Sequence, residues 1–425
     1  MSNLTVKHES SQNNSKPFEI FYGGTEGKFL TQSFRTMPTT TTTLDFLNYE
    51  SLITGDADDD ITITDHVTHS RLYTGRGNDA ISIGGEVDHS AIGTGSGADS
   101  VVIGGEVNNS RIHSGSGNDF LSFNSHVNNS RVYSGSGDDS VVFQSNINNS
   151  RVLTGSGDDE LVSNGVINES NIHMGSGQDF LMSYGGFSTT SISTGSGDDS
   201  AVVVGNIESS RLGLGSGNDI LNTFGDVLES NIHSGSGNDT LNFNGDVLDS
   251  VVRSGSDNDF LAFNGVLADS FVDTGSGNDY VSLNGDIHGS VIRLGQGDDI
   301  IDSRYSCPED SSTAVFHGNR GNDILNGGAG DEVMYGGADD DILAGGGGNN
   351  ELFGEGGSDL FVLVSDDGHS SIKDFEIGID EIMVVGSSPV TTTFDGTNTL
   401  FFNGSEHFGT VEGALVSASA PGMFI

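Results

Sequence analysis

SGSGNDTLNFNGDVLDSVVR, residues Ser234 to Arg253, is one row of a pattern that recurs every twenty residues, without insertion, from residue 50 to 302. Thirteen rows align. One column is glycine in every row, from Gly55 through Gly75 and Gly235 to Gly295. Two residues later stands a second glycine column, with Gly77 and Gly237, broken only by Ala57 and Asp257. Four residues after the first glycine comes aspartate in all thirteen rows. These are Asp59, Asp79, Asp99, Asp119, Asp139, Asp159, Asp179, Asp199, Asp219, Asp239, Asp259, Asp279 and Asp299. A period this strict is the mark of a solenoid, whose units bury their apolar sides only by stacking.

The apolar columns show how a coil closes. Leu72, Ile92, Ile112 and Val132 form one inward column, and Ile81 with Ile83 alternate with polar neighbours at period two. Val87, Val107, Val127 and Ile147 form a third. Alternation and β-branching predict three short strands per coil, each three to five residues long. GSGND is expected as one turn and NGDV or GGEV as another. A serine column, Ser70 to Ser290 with Thr190 as the exception, shares parity with Leu72. It reads as an inward hydroxyl ladder on the backbone, because one nucleophile does not need a dozen copies.

The GSGND turn suits calcium. G-G-x-G-x-D-x-U-x is the calcium-binding nonapeptide of parallel β-rolls. The rows keep its later glycines, aspartate and apolar residue, while Thr154, Ser234 and Thr274 replace the first glycine. Glycine at positive φ turns carbonyl oxygens into the bend, and calcium takes six to eight oxygens. Stacked aspartates about 5 Å apart repel by about 3 kcal/mol per pair at an effective dielectric near 20. A file of calcium ions, about twelve between thirteen turns, is the expectation. The alternative is a file of Asx-turns at a solenoid corner without metal. Ala98 and Gln178 show that the residue beside the aspartate is not an essential ligand.

Residues 318 to 362 read GNRGNDILN, GGAGDEVMY, GGADDDILA, GGGGNNELF and GEGGSDLFV, five nonapeptides without a slip. They resemble the repeats-in-toxin family of secreted calcium-binding proteins. The resemblance implies a parallel β-roll with calcium in its turns. Asp323, Asp341 and Asp359 hold the motif's aspartate position, Glu332 and Asn350 depart from it, and Gly321 and Gly330 hold its turn glycine. Asp339 replaces another glycine. The segment from Ile372 to Val384 resembles the stretch that typically succeeds such repeats. The family resemblance further implies type I secretion, with the tail EHFGTVEGALVSASAPGMFI as an uncleaved signal. The N-terminus, MSNLTVKHESSQNNSK, has no apolar signal-peptide core.

The reading is thus all-β: a cap or linker over residues 1–49, a thirteen-coil parallel solenoid over 50–302 and a junction over 303–317. A calcium β-roll occupies 318–366, and a C-terminal cap 367–425. Net charge is −46, from 61 acidic and 15 basic residues, so nucleic acid and anionic membrane surfaces are excluded as partners. No apolar stretch is long enough to span a bilayer. Cys307, the sole cysteine, permits no internal disulfide. His113, His173 and His233 share an outward column at about 14 Å spacing, too far for a common metal. Arg71, Arg111, Arg131, Arg151 and Arg211 form an outward strip.

These features favour a secreted, non-catalytic structural protein of a surface layer, matrix, filament or adhesin. It would bind multiple calcium ions and assemble with itself or with cell-surface polysaccharide. Two alternatives stand beside it. One is a glycan- or ice-binding face: ice would want a flat threonine ladder, and the column Thr74, Thr94, Ser114, Ser134, Met174, Leu214, Ser254, Leu294 is irregular, while the absence of Trp weakens glycan stacking. A polysaccharide-modifying β-helix enzyme would need a row that leaves its columns to gather an acid and a base. No row does so.

Overall fold

The computed structural model describes residues 40–303, 313–365, 367–386, 390–420 and 423–424. The segment 1–39, Cys307 with the rest of 304–312, and the last residue of the tail lie outside these described residues. The chain separates into two compact units, Met1–Gly205 and Asn206–Ile425. Among the described residues both are built of strands alone, and no helix is long and apolar enough to cross a membrane. The architecture is a parallel β-solenoid.

In the first unit each coil contributes one strand to each of three parallel sheets. Arg131–Ser136, Ser140–Phe143 and Ile147–Asn148 are one such set. Each pairs with the residue twenty positions on, as in Val132 with Val152 and Val141 with Leu161. Strand lengths of six, four and two residues replace the uniform three to five expected. The first strand is long because it runs through the turn's first glycine: Gly135 pairs with Gly155 inside the ladder while holding φ at 121°. That column, Gly75 included, therefore belongs to a strand and not to a turn. A Cβ on Gly115 would meet the Gly95 carbonyl oxygen at 2.0 Å, so stacking at this spacing requires glycine.

All three apolar columns are interior. Leu72, Ile81, Ile83, Val87 and their successors are essentially without exposure, and Phe123 stacks on Phe143 at 4.9 Å. The serine column closes the corner between the third and first sheets. Ser110 Oγ accepts the Ser90 N–H at 3.0 Å and donates to the Asn108 carbonyl at 2.7 Å. The residue before each serine is left-handed, as at Asn109 with φ 51°. The hydroxyl thereby satisfies backbone groups that this sharp corner strands.

The ladder starts before residue 50. Thr40–Leu44 is a strand paired with Asp59–Ile63, and Leu47–Asn48 pairs with Val67–Thr68. A threonine run lacks apolar alternation, yet its β-branched side chains fit a strand.

In the second unit each coil again contributes one strand to each of three parallel sheets, and Ile287–His288 is the last strand of the third. The C-terminal roll keeps only the other two. Ala314–Arg320 pairs with Val291–Gln296, and Ile324–Asn326 with Ile300–Ser303. The ladder therefore resumes at Ala314, inside the stretch read as junction. Coils in the roll step by eighteen residues, as in Met334 opposite Leu352. Antiparallel strands Val390–Phe394, Thr399–Asn403 and Glu406–Val411 then cover the end of the first sheet.

Replacing Ser110 by alanine should leave the buried Ser90 N–H without an acceptor and cost about 1–3 kcal/mol. Urea unfolding should show an earlier midpoint for Ser110→Ala, while exposed Ser82→Ala should leave the midpoint in place.

Candidate metal sites in the turns

The aspartates face inward. Asp59 to Asp299, with Asp323, Asp341 and Asp359, are each no more than 3% exposed. The turn brings each backbone N–H against the carboxylate one coil ahead. In the first unit the ladder runs from Asp59 to Asp199, each N–H donating to the next Oδ1 at 2.8 to 2.9 Å. In the second it runs from Asp219 to Asp299 and crosses the junction, with Asp299 N–H donating to Asp323 Oδ1 at 2.9 Å. It continues through Asp341 and Asp359 to Asp380. Asp380, absent from the expected ligands, closes the file, and its Oδ2 also accepts the Glu376 N–H at 2.7 Å. Asp374 likewise accepts from Gly354 and Glu355. Both lie in the segment that resembles a repeat terminus, which is the signal the sequence offers for them.

One oxygen of each such acceptor is thereby satisfied, and at most turns the other is buried and unpaired. Oδ2 of Asp79, Asp139, Asp239, Asp323 and Asp341 is buried without a hydrogen-bond partner. Loss of hydration pushes these acids up, opposed by the N–H bond and, at Asp79, Asp139 and Asp239, by the hydroxyl that opens the turn, and reinforced by neighbouring aspartates. Asp79 rises to about 6, Asp139 to about 7, Asp323 to about 8 and Asp341 to about 7. Such a group needs a proton or a cation.

Hard oxygen donors, one charged and the rest carbonyl, are what calcium takes. The roll's geometry fits. A Cβ on Gly318 would stand 2.3 Å from both Asp323 Oδ2 and the Gly336 carbonyl oxygen. Two oxygens from adjacent coils therefore converge on one point beside a residue that has no side chain. At the next turn, Gly336 meets Asp341 Oδ2 at 2.4 Å and the Gly354 carbonyl oxygen at 2.9 Å in the same way. On the opposite edge Gly327 faces the Gly345 carbonyl oxygen at 2.2 Å and Glu332 Oε2 at 2.9 Å, with the Met334 methyl between them in distance at 2.5 Å, and Asn350 Oδ1 accepts the Glu332 N–H at 2.9 Å. Gly330 stacks under Gly348, whose Cβ would meet its carbonyl oxygen at 2.0 Å, and Gly321 approaches Gly297 O as closely. Asp323, Asp341 and Asp359 with Gly318, Gly336 and Gly354, and Glu332 with Gly327, are the residues that would hold calcium, whose charge would replace the lost hydration.

In the long array the turn opens on a hydroxyl instead. Thr74, Thr94, Ser114 and Ser134 are fully buried, so the column weighed as an ice-binding surface is interior. Thr94 Oγ1 donates to the Ser114 carbonyl at 2.9 Å, and Ser114 Oγ to that of Ser134 at the same distance. The residue beside the aspartate faces outward and makes a separate ladder, with Asn78 N–H donating to Asp58 Oδ1 at 2.8 Å. Gly77 and Gly237 belong to the stacked backbone of this turn, each at positive φ. Among the described residues, no three His, Cys, Asp or Glu side chains gather to hold an ion, so carbonyls must complete any site. Arg71, Arg111, Arg131, Arg151 and Arg211 are exposed, and Arg111 lies 5.0 Å over the Tyr133 ring.

Fold and turns together define a calcium-binding parallel β-solenoid. Residues 313–343 and 335–363 match the RTX calcium-binding nonapeptide repeat (4 copies), so this segment carries calcium-binding repeats of that type. Among solved structures, the chain is similar to "a hyperactive, Ca2+-dependent, beta-helical antifreeze protein from an Antarctic bacterium". The two are 18% identical over 83% of this chain and 95% of that chain, with a TM-score of 0.42. No curated protein matches the chain in sequence.

The raised acids fix the sign of a pH dependence. An aspartate with an ordinary value of 3.8 and a folded value of about 7, such as Asp139, is protonated in both states at low pH. The folded state loses stability as pH climbs between those values, and the loss persists above them. Calcium-free protein should therefore melt higher at pH 5 than at pH 8 when followed by circular dichroism. Saturating calcium, which binds the ionised form, should narrow that gap.

Proposed function

We propose that this is a secreted, non-catalytic structural protein that completes its fold on meeting extracellular calcium. It would serve at a cell surface as layer, matrix, filament or adhesin material. The observation that carries this reading is the set of buried carboxylate oxygens without partners in the turns. In a chain of net charge −46, carboxylates buried in this way favour a counter-charge wherever they ionise. The rest is supported by repetition. Outward columns recur coil after coil, whereas an enzyme would need one row to depart and assemble an acid, a base and a charge-neutralising group.

The partner is proposed to be a second copy of the chain, or cell-surface polysaccharide. Large apolar side chains collect outside the second sheet in each unit: Phe120, Phe180, Tyr184 and Val204 in the first, and Ile220, Phe224 and Phe260 in the second. Large apolar side chains exposed along one sheet favour association.

Calcium titration of the full chain, followed by circular dichroism and electron microscopy, tests both parts. The expected outcome is a gain of β signal, with ordered sheets or fibres appearing as calcium is added. A spectrum indifferent to calcium would sink the folding claim. Calcium-folded monomers would remove self-assembly and leave the adhesin role.

A further inference from the structure

We propose that calcium goes only to turns that open on glycine, those of the C-terminal roll, and that in the long array a buried hydroxyl stands where the roll holds its ion. The inference rests on the calcium reading above and divides the turns into two kinds.

The division is already complete in the sequence. All five nonapeptides of the roll open on glycine, from Gly318 to Gly354, and none of the thirteen turns of the array does. Ten array turns open on Thr or Ser, and Met174, Leu214 and Leu294 open the others.

The same two acceptors are at stake in both kinds of turn: the carboxylate of one coil and the opening carbonyl of the next. In the roll they converge beside bare glycine, with Asp323 Oδ2 and Gly336 O equidistant from where a Gly318 side chain would begin. In the array the side chain is present and joins them. Thr54 Oγ1 contacts Asp59 Oδ2 and donates to the Thr74 carbonyl at 3.0 Å. Further along, Ser134 donates to Thr154 O at 3.0 Å, and Thr274 to Leu294 O at 2.6 Å.

A hydroxyl carries one proton. Given to the carbonyl one coil ahead, as Thr74 Oγ1 gives it to the Thr94 carbonyl at 3.2 Å, that proton ties up the oxygen that the roll leaves open beside glycine. The side chain also fills the volume and engages a carbonyl that calcium would need among its six to eight oxygens. Where Met174 opens the turn, its fully buried thioether side chain excludes the ion by bulk.

Bound calcium should be counted on the full chain by equilibrium dialysis at neutral pH. The expected count is one ion for each stacked pair, Gly318 with Gly336, Gly336 with Gly354, and Gly327 with Gly345. Asp341→Asn should lose ions, Asp139→Asn should lose none, and Ser134→Gly should gain one. A count of one ion per array coil would overturn the inference while leaving the calcium reading intact. So would an unchanged count in a Ser134→Gly chain whose circular dichroism matches the parent. No bound calcium at all would instead remove the reading on which the inference rests.

Discussion

At its turn each coil is tied to the next by a backbone N–H that a buried side-chain oxygen accepts, in nearly every case an aspartate's. The turn is too tight for water to reach this donor, and a strand partner is not available there. The aspartate solves the problem and creates another, because its second oxygen is buried with no donor. Repeating the solution at every coil stacks the uncompensated charges in file, and each raises its neighbours. Stability in this protein is therefore less about its apolar columns, which are ordinary, than about how a row of buried acids is neutralised. A proton, a hydroxyl and a divalent cation are three answers to one electrostatic demand.

Much of this is legible in the residues. Period alone assigns the columns at Leu72, Ile81 and Val87 inward, and they are. Parity assigns the serine column to backbone bonding, and Ser110 bonds as expected. Other features mislead because local habit and tertiary context disagree. Gly75 looks like turn because glycine usually marks turns, yet here it lets a strand continue at positive φ under a neighbouring carbonyl. Thr74 reads as a surface candidate although it shares the parity of Leu72, which the same alternation rule places inside. The opening residue's role cannot be read at all, since it depends on a carbonyl one coil away. Nor can Asp380 be paired with Asp359, because its twenty-one-residue step matches neither repeat.

The second unit shows how unlike repeats can share one structure. Its coils step by twenty residues, then once by twenty-four between Asp299 and Asp323, then by eighteen. Only the third sheet is given up. The first two sheets and the aspartate ladder pass through with hydrogen bonds of nearly unchanged length, so the ladder, rather than the repeat length, is the constant element of construction.

That ladder has a direction. In the buried aspartate ladder the donor belongs to the earlier coil and the acceptor to the later one, and the serine ladder runs the same way, while the outward ladder beside it runs in the opposite sense. The two termini of the ladder are consequently different chemical objects. At the late end Asp359 donates to Asp380, whose other oxygen accepts the Glu376 N–H, so the donor of Asp359 is not stranded. At the early end Asp59 Oδ1 has no donor among the described residues. A carboxylate oxygen released there is welcomed by water, whereas an N–H released at the other end would break a closed cap. The first unit's ladder thus begins on an open acceptor, and the second unit's ladder finishes on a filled one.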